Sequence, residues 1–313
     1  MKKYFLIILF ISLGVFTFGN NNSRIKEVKK ENTTSLEFPF IISFFDNPSF
    51  AGARERHVIN AQYREKWPGF DASLQDVLFS YDFSILNDKK VAFGFGGAYN
   101  YNQFGSRIMA RSKIAFSIRY MFNKTTKLRW GTSFSSYSIS AVNDEIYPDM
   151  LHPLYGPIYD TQESKSSGSI KNSLDFSSGI WFSRDKLFSG ISFLHLNQLI
   201  AKASEKENYQ PCEMRFVLGN RFSINNNFEF TPMIEFHKIN TLPLIINPSG
   251  IISYKSKIFL GLSFNNLKML DFNIRIVLFN HLSVSVNQGI FIKNQFGDLS
   301  RISNKGIALR YEF

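Results

Sequence analysis

The chain has 313 residues, a formal net charge of +11, 16% aromatic residues including 34 Phe, and only 19% charged residues. So much Phe exceeds what a soluble core needs, and a mean hydropathy of −0.11 excludes a bundle of membrane helices. The basic charges are scattered, not gathered in a run, so they point to anionic outer-membrane lipid or an acidic partner and not to nucleic acid.

The first predicted element is a secretory signal over residues 1–19. Lys2 and Lys3 form its positive end, Tyr4 to Phe18 its apolar core, and Thr17 and Gly19 a small-residue cleavage site. No later apolar run reaches the roughly 18 residues that a membrane helix requires. Residues 20–36, "NNNSRIKEVKKENTTS" and its neighbours, read as a flexible leader. From about residue 55 the hydrophobic period is two. In "KIAFSIRYMF", Ile114, Phe116, Ile118, Tyr120 and Phe122 share one face, and Ala115, Ser117, Arg119 and Met121 the other. In "LDFNIRIVLF", Leu270, Phe272, Ile274, Ile276 and Leu278 alternate with Asp271, Asn273, Arg275 and Val277. A helix cannot bury that pattern, whereas a strand between lipid and a polar lumen does.

The prediction is therefore an all-β, transmembrane antiparallel outer-membrane β-barrel of about 14 strands over residues 37–313, with the N-terminal part packed at or in the barrel. The spans are roughly 55–65, 73–84, 89–100, 109–122, 127–142, 171–184, 187–196, 212–223, 227–238, 244–254, 257–265, 269–279, 281–292 and 304–313. Short turns such as "NKTT", "SRDK", "INNN" and "YKSK" alternate with longer links near 101–108, 143–170, 197–211 and 293–303. That asymmetry suits short periplasmic turns and longer surface loops. The chain ends "GIALRYEF", with Ile307, Leu309, Tyr311 and Phe313 on one face.

Little here suggests catalysis. His57, His152, His195, His237 and His281 show no metal-ligand spacing, and Cys212 is the single cysteine. His195 stands where Asn197 or Asp175 could approach it, yet no nucleophile pattern accompanies it. The reading is no enzyme, no cofactor and no metal. Gly94, Gly96 and Gly97 in "FGFGGAY" mark a strand that another piece of backbone, or a plug, approaches closely. Arg119, Arg275, Arg310 and Glu312 fall on polar faces. They line an anion pore or are paired inside a filled barrel, the second being favoured. Trp130, Tyr137, Trp181 and Tyr311 are candidates for the interfacial aromatic girdles.

"FFDNPSFAGARERHVINAQYREKWPGFD" ties these elements together. Pro48 and Gly52 break any strand, while Phe44, Phe45 and Phe50 are too apolar for a free tail. Asn47, Pro48, Ser49, Phe50, Ala51 and Gly52, followed by Tyr63, Arg64, Trp67, Gly69, Phe70 and Asp71, resemble the early signature of the PorP/SprF family of type IX secretion and gliding proteins of Bacteroidota. Gly190, Ser192, His195 and Leu196 in "LFSGISFLHLNQ" are similar to a later family segment. The resemblance covers about residues 37–313. It implies a non-enzymatic outer-membrane barrel that supports export, surface retention or anchoring of a secreted protein or adhesin. Its partners would be type IX components or a secreted surface protein, together with outer-membrane lipid. An outer-membrane porin or small-solute anion channel is the alternative. The two halves of the early signature are expected to form one folded unit at a barrel mouth.

Overall fold

The structure, a computed structural model, describes residues 43–66, 74–85, 90–104, 107–141, 151–152, 156–157, 171–197, 211–239, 243–265, 269–279, 281–292 and 302–313. The signal and leader, Trp67–Asp71, and most of the 143–170 link lie outside the described residues.

Fourteen antiparallel strands close into a barrel. In chain order they are β1 (Val58–Lys66), β2 (Leu74–Ile85), β3 (Val91–Phe104), β4 (Arg107–Met121) and β5 (Thr126–Ala141). Next come β6 (Lys171–Arg184), β7 (Leu187–Leu194), and β8 (Glu213–Asn220), which resumes after Arg221 as Phe222–Ser223. The circuit continues with β9 (Phe228–Ile239), β10 (Ile245–Tyr254), β11 (Ile258–Asn265), β12 (Met269–Leu278), β13 (Leu282–Phe291) and β14 (Ile302–Glu312). Every strand pairs with its sequence neighbours, and β14 returns to β1 with Val58 opposite Glu312 and Lys66 opposite Asn304. Closure leaves no sheet edge, so the backbone is hydrogen-bonded all the way round, as a hydrocarbon surrounding demands.

The alternation matches expectation. Ile114, Phe116, Tyr120, Phe272, Ile274 and Ile276 face outward, whereas Ala115, Ser117, Arg119, Asn273 and Arg275 are buried in the lumen. One link differs. The 101–108 segment, expected as a longer connection, is mostly strand: β3 and β4 stay paired to Phe104 and Arg107, leaving two residues between them. Its one asparagine, Asn102, donates to Asn100, which is buried on the lumenal side, where a polar residue suits a strand.

Two of the proposed girdle aromatics also belong elsewhere. Trp130 and Tyr311 are outward, 50% and 46% exposed, but Tyr137 and Trp181 are each 1% exposed inside the lumen. Parity decides this: Tyr137 shares its face with Ser133 and Ser135, and Trp181 shares its face with Asp175 and Ser177, all of them buried.

The turns after β4, β6, β8, β10 and β12 gather at one end of the barrel, with the start of β1 and the end of β14; the opposite end carries the long link after β5 and also the two-residue β3–β4 link. At the first of these ends His57 N–H donates to the Phe313 carbonyl (3.1 Å) and Phe313 N–H to the His57 carbonyl (3.0 Å). The His57 ring stacks on Phe313 and Phe83, at 5.2 and 5.5 Å between centroids. We call this the turn end and its opposite the loop end.

Candidate functional site

Residues 43–55 run inside the barrel and form a plug, and Arg56 and His57, which are exposed, lead from it into β1. Its shape follows from its sequence. Asn47 caps a single 3-10 turn, Pro48–Phe50, its Oδ1 accepting from Ser49 N–H (3.1 Å) and Ser49 Oγ (2.7 Å). Pro48 at the first position needs no N–H partner and has the right φ in advance. Gly52 then takes φ +60°, and a β-carbon there would overlap the Phe83 carbonyl. This accounts for Asn-Pro before the turn and Ala-Gly after it.

The wall makes room for the plug with small residues. A β-carbon at Gly94 would overlap the Ala51 carbonyl, one at Gly131 the Pro48–Ser49 peptide, and one at Gly179 the Asn47 side chain. Gly96 lies under the Phe44 ring. Gly97, on the other face of β3, meets nothing within 4 Å. Across from these glycines, Phe44 and Phe50 join an apolar layer of Trp181, Phe188, Val217, Met233 and Ile251. Phe50 meets Trp181 edge-on at 4.7 Å, and Trp181 stacks on Phe188 at 5.4 Å. Each ring so packed removes roughly 150–250 Å² from water. Gly190 leaves the space into which the Trp181 ring fits.

An irregular segment in a lumen must have its backbone polar groups satisfied, and here polar wall residues do it. Lys113 Nζ donates to the Phe45 carbonyl (2.7 Å), Ser117 Oγ to Ala51 (2.6 Å) and Arg129 to Ala53 (3.0 Å). Gly52 N–H donates to Asp82 Oδ2 (2.9 Å). Arg119 pairs with Glu55, and Arg54 with Glu312. Arg310 Nε donates to Asn60 Oδ1 (2.6 Å), and the Arg275 guanidinium lies 5.0 Å from the centre of the Phe259 ring. Arg119 and Glu312 are thus paired with the plug, whereas Arg310 and Arg275 contact the wall residues Asn60 and Phe259.

Above the plug, toward the loop end, is a polar cavity of about 530 Å³. Ser43, Phe45 and Asp46 form its floor, and its wall includes Arg64, Lys66, Arg111, His195, Arg215 and Asp271. The cavity is therefore a cup with a closed base. One side carries a continuous polar chain. Asp175 on β6 lies 2.7 Å from His195 Nδ1, and His195 Nε2 is 3.9 Å from Glu213 on β8. Glu213 also contacts His237 (3.1 Å) and Arg215 (3.3 Å), and Arg215 Nη1 donates to Asp46 on the plug (2.9 Å). Both His195 nitrogens thus face carboxylates and not a nucleophile.

The signature residues separate into groups. Asn47, Pro48 and Gly52 form the turn of the plug. Arg64 on β1 faces the cup and bonds Asp76 (2.6 Å), while Tyr63 beside it faces outward. Ser192 is buried on β7, opposite Gly179 and Arg215 in the ladder. His195 ends β7 with φ 59°, and Leu196 N–H returns to the Phe176 carbonyl (2.9 Å). Asn197 donates to the Leu174 carbonyl (2.8 Å), leaving Asp175 as the His195 partner. Trp67, Gly69, Phe70 and Asp71 lie outside the described residues; Lys66, just before them, is at the loop end, separated from the plug's exit by the nine residues of β1. Sequence reasoning missed Asp46, Lys113, Glu213 and Arg215. The available signal was parity: each wall residue among them is a charge on the lumenal face of a strand.

A closed fourteen-stranded barrel with a lumenal N-terminal plug can now be compared with known proteins. Residues 37–299 match the family model described as type IX secretion system membrane protein PorP/SprF. The chain belongs to the PorP/SprF family. Among curated protein sequences none matches significantly. Solved structures similar in fold include the TodX monoaromatic hydrocarbon channel in its deltaS2 mutant form, with a TM-score of 0.51 at 9% identity over 86% of this chain and 94% of that one. The toluene transporter TbuX of Ralstonia pickettii gives 0.50 at 9% identity, over 86% and 93%. At such identities the likeness concerns the barrel fold alone. Family and fold together make this PorP/SprF protein an outer-membrane β-barrel.

Proposed function

We propose that this PorP/SprF protein is a non-enzymatic outer-membrane component of type IX secretion that supports export, surface retention or anchoring of a secreted protein or adhesin. The observation that carries this reading is the plug. A barrel that fills its own lumen from Phe44 to Glu55 is poorly suited to solute diffusion. It is well suited to serve as a rigid membrane-embedded mount with a polar cup. In this reading the signal at residues 1–19 directs export, the turn end faces the periplasm and the cup opens at the cell surface. The carboxylates on both sides of His195 support a non-enzymatic role. An anion channel would require the plug to leave the lumen.

Affinity isolation of the tagged protein from native outer membranes tests the proposal. Type IX components or a secreted surface protein should be recovered in stoichiometric yield. Recovery of the barrel alone, under conditions that preserve other outer-membrane complexes, would overturn it.

A further inference from the structure

Among the described residues three guanidinium groups line the cup, those of Arg64, Arg111 and Arg215. Two are matched by carboxylates: Arg64 by Asp76, and Arg215 by Asp46 and Glu213. Arg111 is not. It is 8% exposed, yet it forms no ion pair or hydrogen bond with the described residues; its Nε, like those of Arg64 and Arg215, is buried without a hydrogen-bond partner. Its contacts are aromatic: the guanidinium carbon lies 5.7 Å from the centre of the Phe45 ring and 5.8 Å from that of Tyr137. Those rings limit its rotamers while leaving its N–H groups unused.

Asp175, Glu213 and Asp46 act on Arg111 only at longer range, each being in direct contact with another partner: His195 for Asp175, His237 and Arg215 for Glu213, and Arg215 for Asp46. A buried cation without a direct partner is costly, so such a residue in a stable wall calls for an explanation. Packing does not require a charge there; a Met of similar length would fill the space beside two rings. Lys113, two residues along the same face, shows the contrast, since its ammonium is used on the Phe45 carbonyl.

We propose that Arg111 anchors an anion site in the cup and that the group it takes is a carboxylate. The planar guanidinium edge matches two carboxylate oxygens. A doubly charged phosphate or sulfate is disfavoured, because Asp76, Glu213, Glu235 and Asp271 also line the cup and would repel it. Asn102, beside Asn100 on the same face of β3, adds amide donors and acceptors for the neutral polar part of the ligand. The cup volume is in the range of ordinary ligand pockets. A small organic acid and the C-terminal carboxylate of a peptide share this chemistry. The peptide source rests on the secretion role proposed above, whereas the small-acid source does not.

The test uses the full-length barrel purified in detergent, with two measurements. The first is binding, by calorimetry, of three probes: N-acetylglycine, a short polar peptide with a free C-terminus, and the same peptide amidated. The free-acid peptide should bind, amidation should weaken it on the order of 30-fold or more, and Arg111→Met should do the same. N-acetylglycine binding as tightly as the peptide would also support the site and would assign it to small acids. The second is thermal unfolding without ligand. Arg111→Met should unfold no earlier than the wild type, because it removes a buried charge that has no direct partner. Equal binding of acid and amide, no binding of either acid, or full binding by Arg111→Met would overturn the proposal. So would a marked loss of ligand-free stability in Arg111→Met, which would make Arg111 a packing residue. None of these outcomes alters the affinity isolation described above, so the two readings fail separately.

Discussion

Gly94 and Gly97 lie three residues apart on β3 and have opposite duties. A β-carbon on Gly94 would overlap the Ala51 carbonyl, whereas one on Gly97 meets open space. Gly94→Val should therefore displace the plug or strain the wall, at a cost of about 1–3 kcal/mol or more. Gly97→Val should be neutral or slightly stabilising, since a β-branched residue suits an exposed strand. The temperature at which the purified barrel unfolds on a denaturing gel separates the two variants. Equal effects would remove the plug from the explanation of these glycines. At this scale the sequence was partly legible. The glycine run announced a close approach, which the plug makes at Gly94 and Gly96, and "NPSFAG" announced broken backbone. Tyr137 and Trp181 were misread because an aromatic ring suits either face of a strand, and only strand parity, counted from neighbours such as Ser135 and Ser177, reveals which. Arg111 and Arg215 look alike in sequence; what separates them is the plug residue Asp46, which reaches Arg215 across 169 positions.

The strands are the elements the sequence displays most clearly, since lipid on one side and a polar lumen on the other impose a strict period of two. β12 and β14 could be read almost residue by residue. The β3–β4 hairpin was cut short in the reading because the polar residues Asn102 and Gln103 resemble a loop when the lumen is not in view. The plug's path through the lumen was not legible, because aromatic side chains at Phe44 and Phe50 show that a segment is buried without showing against what. Connections are where the topology can be tested. The 143–170 link is much longer than the turns at Asn123–Thr125 and Asp185–Lys186, and the proposed orientation puts it at the cell surface. Protease added to intact cells should cleave within it and spare those turns. Cleavage at the turns alone would invert the orientation.

For the whole molecule, the closed ladder and the plug act together. Closure removes sheet edges, and the plug removes the channel that closure would otherwise create. Wall cations that would make an open pore anion-selective are instead committed to the plug, as with Arg119 and Glu55, and Arg129 and the Ala53 carbonyl. The result is a barrel that is a cup on the loop side and packed below. The composition pointed to the barrel and the signature to the family, but whether the lumen was open depended on long-range contacts between residues 43–55 and strands β2 to β6, β8 and β14, which no local pattern encodes. Conductance in planar lipid bilayers tests this most directly. The purified wild-type protein should give no steady current, and a variant lacking residues 43–54 should give large, stable openings. Steady large conductance from the wild type, unchanged by that deletion, would contradict a plugged barrel and favour a channel.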